Sequence, residues 1–127
     1  MTFTGLGVGS SAAIGPAVWM PPPLPDPSEA PSSLTPAEEL ERANLALTDV
    51  AAELAQRASR ADITGADVLL AQSLMARNPV IIEGVQEATA RGLTAQRAVH
   101  EAFASIVSLL SALGGTQGAR AADFADV

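Results

Sequence analysis

Residues 35–54 read TPAEELERANLALTDVAAEL, and this stretch decides the fold. Thr35 offers a hydroxyl at an N-cap, Pro36 suits the first helical position, and Glu38 stands three residues on, where its carboxylate can reach back. Leu40, Ala43, Leu47, Val50 and Leu54 then follow in steps of three and four. That spacing draws one apolar stripe along a helix reaching about Ser59, while Glu41, Arg42, Glu53 and Arg57 fall on the opposite face.

Working toward the carboxyl end, every signal stays helical. Thr64-Gly65-Ala66-Asp67 reads as a second start, leading through Val68, Leu69, Leu70, Leu74 and Met75 to Arg77. This second helix is apolar on more than one side, so the side turned from the bundle is covered either by neighbouring helices or the remainder of the chain, or by a docking partner for which Met75 is well suited. Asn78-Pro79 ends it and caps a third, short helix running to Arg91 before Gly92. Thr94 caps a fourth, in which Val99, Phe103, Ile106, Leu110 and Leu113 repeat the stripe until Gly114-Gly115 stops it. Helices joined so tightly are expected to pack as antiparallel neighbours. Arg120 to Val127 reads as the opening turns of a further helix that the chain does not complete.

Toward the amino end the composition changes. Met20 to Pro27 holds five of the nine prolines and reads as an extended connector without hydrogen bonds of its own. Thr2–Val8 and Ala12–Trp19, separated by Gly9-Ser10-Ser11, read as two strands. The expected organisation is a strand pair over 1–20, a Pro-rich linker over 21–34, a helical bundle over 35–113 and the start of another helix over 114–127.

The whole chain, 127 residues long, is 48% apolar but holds only three Phe, one Trp and no Tyr, so its core must be aliphatic. Fourteen carboxylates against seven basic residues give a formal net charge of -7. That field repels nucleic acid and anionic lipid and favours a basic protein partner. With no cysteine and a single histidine, disulfides, thiol nucleophiles and multi-histidine metal sites are excluded. Glycines and prolines break up residues 1–25 and no basic lead precedes them, which argues against a signal peptide or a spanning helix and leaves the cytoplasm as the default location.

Few residues invite catalysis. Gly5-Leu6-Gly7-Val8-Gly9 has Ser10-led turn residues and a strand after it rather than a helix, so it fails as a dinucleotide loop. His100 has no Ser, Cys or carboxylate constellation around it, because Glu101 points about 100° away on a helix. It is placed at the flank of the bundle, within reach of a partner. The paired acids Glu38-Glu39 and Asp123 with Asp126 read as caps and solvated surface.

Four stretches together resemble the amino-terminal part of enzyme I of the bacterial sugar phosphotransferase system, the phosphoenolpyruvate-protein phosphotransferases. They are Gly5-Leu6-Gly7-Val8 with Ala13-Ile14-Gly15, then Ala37 to Leu54, then Val68 to Met75 with Asn78-Pro79, and finally Arg120-Ala121-Ala122-Asp123-Phe124-Ala125-Asp126-Val127. The last, close to Arg-Ala-Ala-Asp-Val-Arg-Asp-Ile, is the most specific.

The resemblance implies a mostly α architecture: an antiparallel helical bundle of the HPr-binding type, preceded by a short strand pair from an incomplete phosphohistidine α/β domain. It implies docking of the small phosphocarrier HPr through Val68, Leu69, Gln72, Met75, Arg77, Ile81, His100 and Arg120. It implies no catalytic residue and no cofactor in this chain, magnesium for the full enzyme, and possible contact with the remainder of the same enzyme. The family's phosphorylated histidine motif has no match here, since Gly114-Gly115-Thr116 lacks the histidine. An acid is usual in the family at Leu70, and an acidic pair at Arg77-Asn78. Those departures leave open a second reading, a non-catalytic helical interaction module that kept the fold and lost the transport role.

Overall fold

The computed structural model describes residues 14–19, 21–125 and 127. Five helices follow one another: α1 (Pro36–Ala58), α2 (Ile63–Ala76), α3 (Pro79–Ala90), α4 (Ala95–Leu113) and α5 (Gly115–Ala125). Among the described residues there is no strand. Residues 14–19, which fall in the expected second strand, are irregular and Ile14, Val18 and Trp19 are exposed there. Two short strands without a sheet to join bury too little to hold together, so the expected pair is unsupported where it can be seen. The expected strand over Thr2–Val8 lies outside the described residues.

α1 begins with the complete capping box: the Thr35 hydroxyl accepts from the Glu38 backbone N–H, and the Glu38 carboxylate accepts from the Thr35 N–H at 2.8 Å. α2 starts earlier than its sequence signal, because Asp62 rather than Thr64 is the cap and its carboxylate accepts from the Gly65 N–H at 2.7 Å. Asn78 caps α3 by accepting from the Val80 N–H at 2.9 Å, with Pro79 as its first residue. Thr94 caps α4.

α1 packs on α2 and on α3, but α2 and α3 do not pack on each other. They are separated at Asn78-Pro79, where the proline removes one N–H and clashes with the preceding turn, and each packs on α1. This corrects the expectation that they would be antiparallel neighbours. α4 returns against α3, and α5 folds back along α4. Gly114 (φ 64°) and Gly115 (φ 54°) supply the sharp turn, a left-handed backbone that a side chain would oppose. The hairpin brings the Phe103 and Phe124 rings to 6.4 Å between centroids. α5 starts at Gly115, inside the span 114–127 assigned from sequence to a further helix and ahead of the Arg120 signature.

The core is made of small residues. Ala43, Leu47, Ile81, Val85, Ala88, Ala95, Ala98 and Ala102 form one buried cluster, with Leu40, Val99, Phe103 and Ile106 half-buried around it. The expected stripes are therefore right in phase but shifted outward: alanines let the helices approach, and the larger side chains rim the contact. A Cβ on Gly84 would stand 3.1 Å from the Ala102 Cβ, which shows how closely α3 and α4 meet.

Glu39 departs from its expected role as solvated surface. It is 2% exposed and ties three segments together. Its Oε2 accepts from the Ala95 N–H at 2.9 Å and pairs with Arg42 at 3.1 Å, and its Oε1 accepts from the Ser32 hydroxyl. A carboxylate set against the first turn of α4 also meets the positive end of that helix. These hydrogen bonds, Ser32 first and then the Ala95 N–H, hold the Glu39 carboxyl below the usual carboxylate range despite its burial.

Candidate functional site

The exposed side of α2 is the strongest candidate. Ile63, Asp67, Leu70, Leu74 and Arg77 recur in alternating steps of four and three, so they share one stripe. All five are exposed, Leu74 to 72%. The opposite side is fixed to α1, where Ala76 is fully buried and the Ser73 hydroxyl donates to the Ala51 carbonyl at 2.8 Å. Past the break, Val80 at the start of α3 is also exposed, to 56%. Val80 and the exposed Leu109 of α4 line one shallow groove whose flank carries Glu83 and Glu87. The groove also holds Arg91, paired with Glu101, so the carboxylates left along its border are Glu83 and Glu87, an arrangement that fits a partner with an apolar centre and basic groups at its rim.

The residues nominated from sequence separate into groups. Val68 and Arg77 are exposed on α2, and Gln72 and Met75 are half-buried. Leu69 is half-buried on the side of Ala76. Ile81 is 0% exposed and belongs to the core cluster, so it holds α3 in place and offers no surface. The family resemblance nominated it for docking, but its side chain packs among Ala43 and Leu47 of α1 and Ala98 and Ala102 of α4. Arg120 is exposed on α5.

His100 lies on a different side of α4. It borders an apolar groove between α1, α4 and α5, and its Nε2 stands 3.7 Å from the Asp26 carboxylate. Arg97, one turn earlier, binds Glu101 at 2.8 Å, Glu29 at 3.1 Å and the Pro27 carbonyl at 3.4 Å. The Pro-rich segment is thereby strapped to α4. Arg97 and Arg91 hold the Glu101 carboxyl below its usual range, and Glu101 in turn raises Arg97. This cluster is an ion-pair network that fixes the strap; Ser28 and Thr94 line the pocket beside His100 and Asp26, where the Ser28 hydroxyl accepts from the Ala30 N–H and Thr94 caps α4.

The sequence names Leu70 and Leu74 only as part of an all-round apolar helix and does not single out Val80 or Leu109. The alternating spacing from Ile63 to Arg77 was available, but an all-round apolar helix does not show which side its neighbours take. Among the described residues no group of three His, Asp or Glu side chains is placed to hold a metal ion. No described helix is long and apolar enough to cross a membrane.

Comparison with known proteins identifies relatives of the sequence. The family model described as "PEP-utilising enzyme, N-terminal" matches residues 4–119. The chain is 37% identical over 130 residues to a phosphoenolpyruvate-protein phosphotransferase of Streptomyces coelicolor, covering 99% of this chain and 23% of that protein. It is 36% identical over 131 residues to one of Haloferax volcanii, again covering 99% and 23%. The chain thus spans 23% of the length of these curated relatives. No solved structure matches.

Proposed function

Because the chain belongs to the PEP-utilising enzyme N-terminal family, we propose that it is the helical docking part of an enzyme I type phosphotransferase, working in the cytoplasm and presenting its α2–α3 side to HPr. The observation that carries this reading is the exposure of the apolar residues Leu70, Leu74 and Val80, the first two held outward because the other side of α2 is fixed to α1.

The chemistry of docking follows from the surface. A net charge of -7 draws a basic carrier from a distance and orients it. Leu74 and Val80 then supply apolar contact once water is expelled. Glu83 and Glu87 stand at the edge, where charges guide encounter more than they tighten the complex. Arg77 carries the wrong sign for that role and lowers the steering. Phosphoryl transfer to HPr needs a phosphorylated histidine; His100, engaged with Asp26 on another side of α4, is not offered to this surface.

Calorimetry with HPr and surface variants tests the assignment. Leu74→Ser and Val80→Ser should each weaken binding by about 1 to 2 kcal/mol. Leu45→Ser, on the exposed side of α1, should leave it unchanged. Equal affinity for all three would refute the surface.

A further inference from the structure

We propose that Arg91 is a gate in the α3–α4 groove, resting on the docking reading above: its guanidinium covers Glu101 in the free chain and gives way to a basic side chain of HPr. Arg91 then sets how readily the partner is accepted without being one of its anchors.

The arrangement begins where the two helices meet. Gly84 and Ala102 bring α3 and α4 so close that a Cβ on Gly84 would stand 3.1 Å from that of Ala102. Val80, Gly84, Glu87 and Arg91 follow in steps of four, three and four, so they share one face of α3. All four line the groove, about 290 Å³ in volume, together with Glu101, Ser105 and Leu109 of α4. At the carboxyl end of that face the Arg91 side chain crosses to α4 and meets the Glu101 carboxylate at 2.7 Å.

The two members of this pair are held unequally. The other oxygen of Glu101 accepts from the Arg97 Nε at 2.8 Å, and Arg97, 16% exposed, is itself fixed by Glu29 and the Pro27 carbonyl. Arg97 is also the larger cause of the lowered Glu101 pKa, ahead of Arg91, so the carboxyl stays ionised when Arg91 leaves. Arg91 is 63% exposed and has no second ion pair among the described residues. As the C-cap residue of α3 it has another favourable place, back over the carbonyls that end its own helix. Glu101 is therefore the fixed member and Arg91 the movable one.

Charge decides what moves it. Glu83 and Glu87 are exposed along the same groove with no ion pair among the described residues, so they draw a cation toward it. An arriving Lys or Arg meets three carboxylates and one like charge, and taking the place of Arg91 on Glu101 removes that like charge. An exposed pair of this kind is worth about two- to fivefold in an equilibrium, so its displacement is a small opposing cost.

The test is NMR of the ¹⁵N-labelled chain with unlabelled HPr, together with calorimetry on variants. At saturation the Arg91 Nε–Hε signal should move toward that of an unpaired arginine while the Arg97 signal keeps its position. Arg91→Gln should raise HPr affinity about two- to fivefold at low salt. Arg57→Gln makes the same change in net charge on α1, outside the groove, and should raise it less. In a Glu101→Gln background, Arg91→Gln should give no more than the Arg57→Gln gain, because the carboxylate it uncovers is gone. An Arg91 signal that stays in place while the Leu74 and Val80 amides shift would overturn the gate and leave the docking surface standing, as would equal gains from Arg91→Gln and Arg57→Gln. Weaker binding by Arg91→Gln would also overturn it, by making Arg91 an anchor. No shift at Leu74 and Val80 would remove the docking reading, and the gate with it.

Discussion

Replacing Ile81 by Ala separates the core from the docking surface, because Ile81 adjoins the exposed Val80 in sequence yet is 0% exposed. The change deletes about three methyl or methylene groups, worth about 2.4 kcal/mol in transfer free energy. Its neighbours in the cluster are largely alanines, Ala43, Ala88, Ala98 and Ala102 among them, which have no reach to close the space. A residual cavity therefore adds to the loss, and the expected total is about 3 to 4 kcal/mol. In a helical domain of this size that lowers the melting midpoint by more than about 12 °C. Circular dichroism at 222 nm during thermal and urea unfolding gives the stability, and calorimetry with HPr at low temperature gives the affinity of the folded fraction. Stability should fall while affinity stays within about twofold. A variant that melts like the parent but binds weakly would show that Ile81 faces the partner and would refute the packing of α3 described above.

Two further outcomes follow from charge. Glu38, Glu39 and Glu101 all have folded-state pKa values below the ordinary 4.5, so the folded protein binds fewer protons than the unfolded chain in that range. Their contribution is full above about 4.5 and is lost as pH falls through the depressed values; Glu39→Gln should lower stability at neutral pH and flatten the acid limb of a pH titration of unfolding. A steeper acid limb in the variant would contradict this. Arg77→Glu should raise the association rate of HPr measured by stopped flow, with a gain that shrinks as salt shortens the screening length. An unchanged rate at low salt would place Arg77 outside the encounter surface.

Much of the fold was legible because helix ends are written in local chemistry. Thr35 with Glu38, Asn78 with Pro79, Thr94, and Gly114 each satisfy or terminate backbone groups through their own side chain or lack of one, and each does so where the sequence indicates. The start of α2 was less legible, since Asp62 and Thr64 are both capping residues and the intervening Ile63 is exposed and gives no periodic signal. That α2 and α3 both pack on α1 and not on each other is recorded by no local signal. The site was legible as a segment but not as a surface. α2 is apolar on several sides, so whether Leu69 or Leu74 faces outward is decided by where α1 lies. Glu39 was read as solvated because a carboxylate beside an N-terminal cap usually is; its partner Ala95 is 56 residues away.

The central claim is that the α2–α3 side docks HPr, and amide mapping tests it most directly. Titrating the ¹⁵N-labelled chain with unlabelled HPr should perturb Leu70, Leu74, Arg77, Val80 and Leu109 together, saturating at one HPr per chain, and should leave Val99, Phe103 and Phe124 unmoved. No perturbation, or perturbation confined to the α1–α4–α5 groove, would contradict the claim.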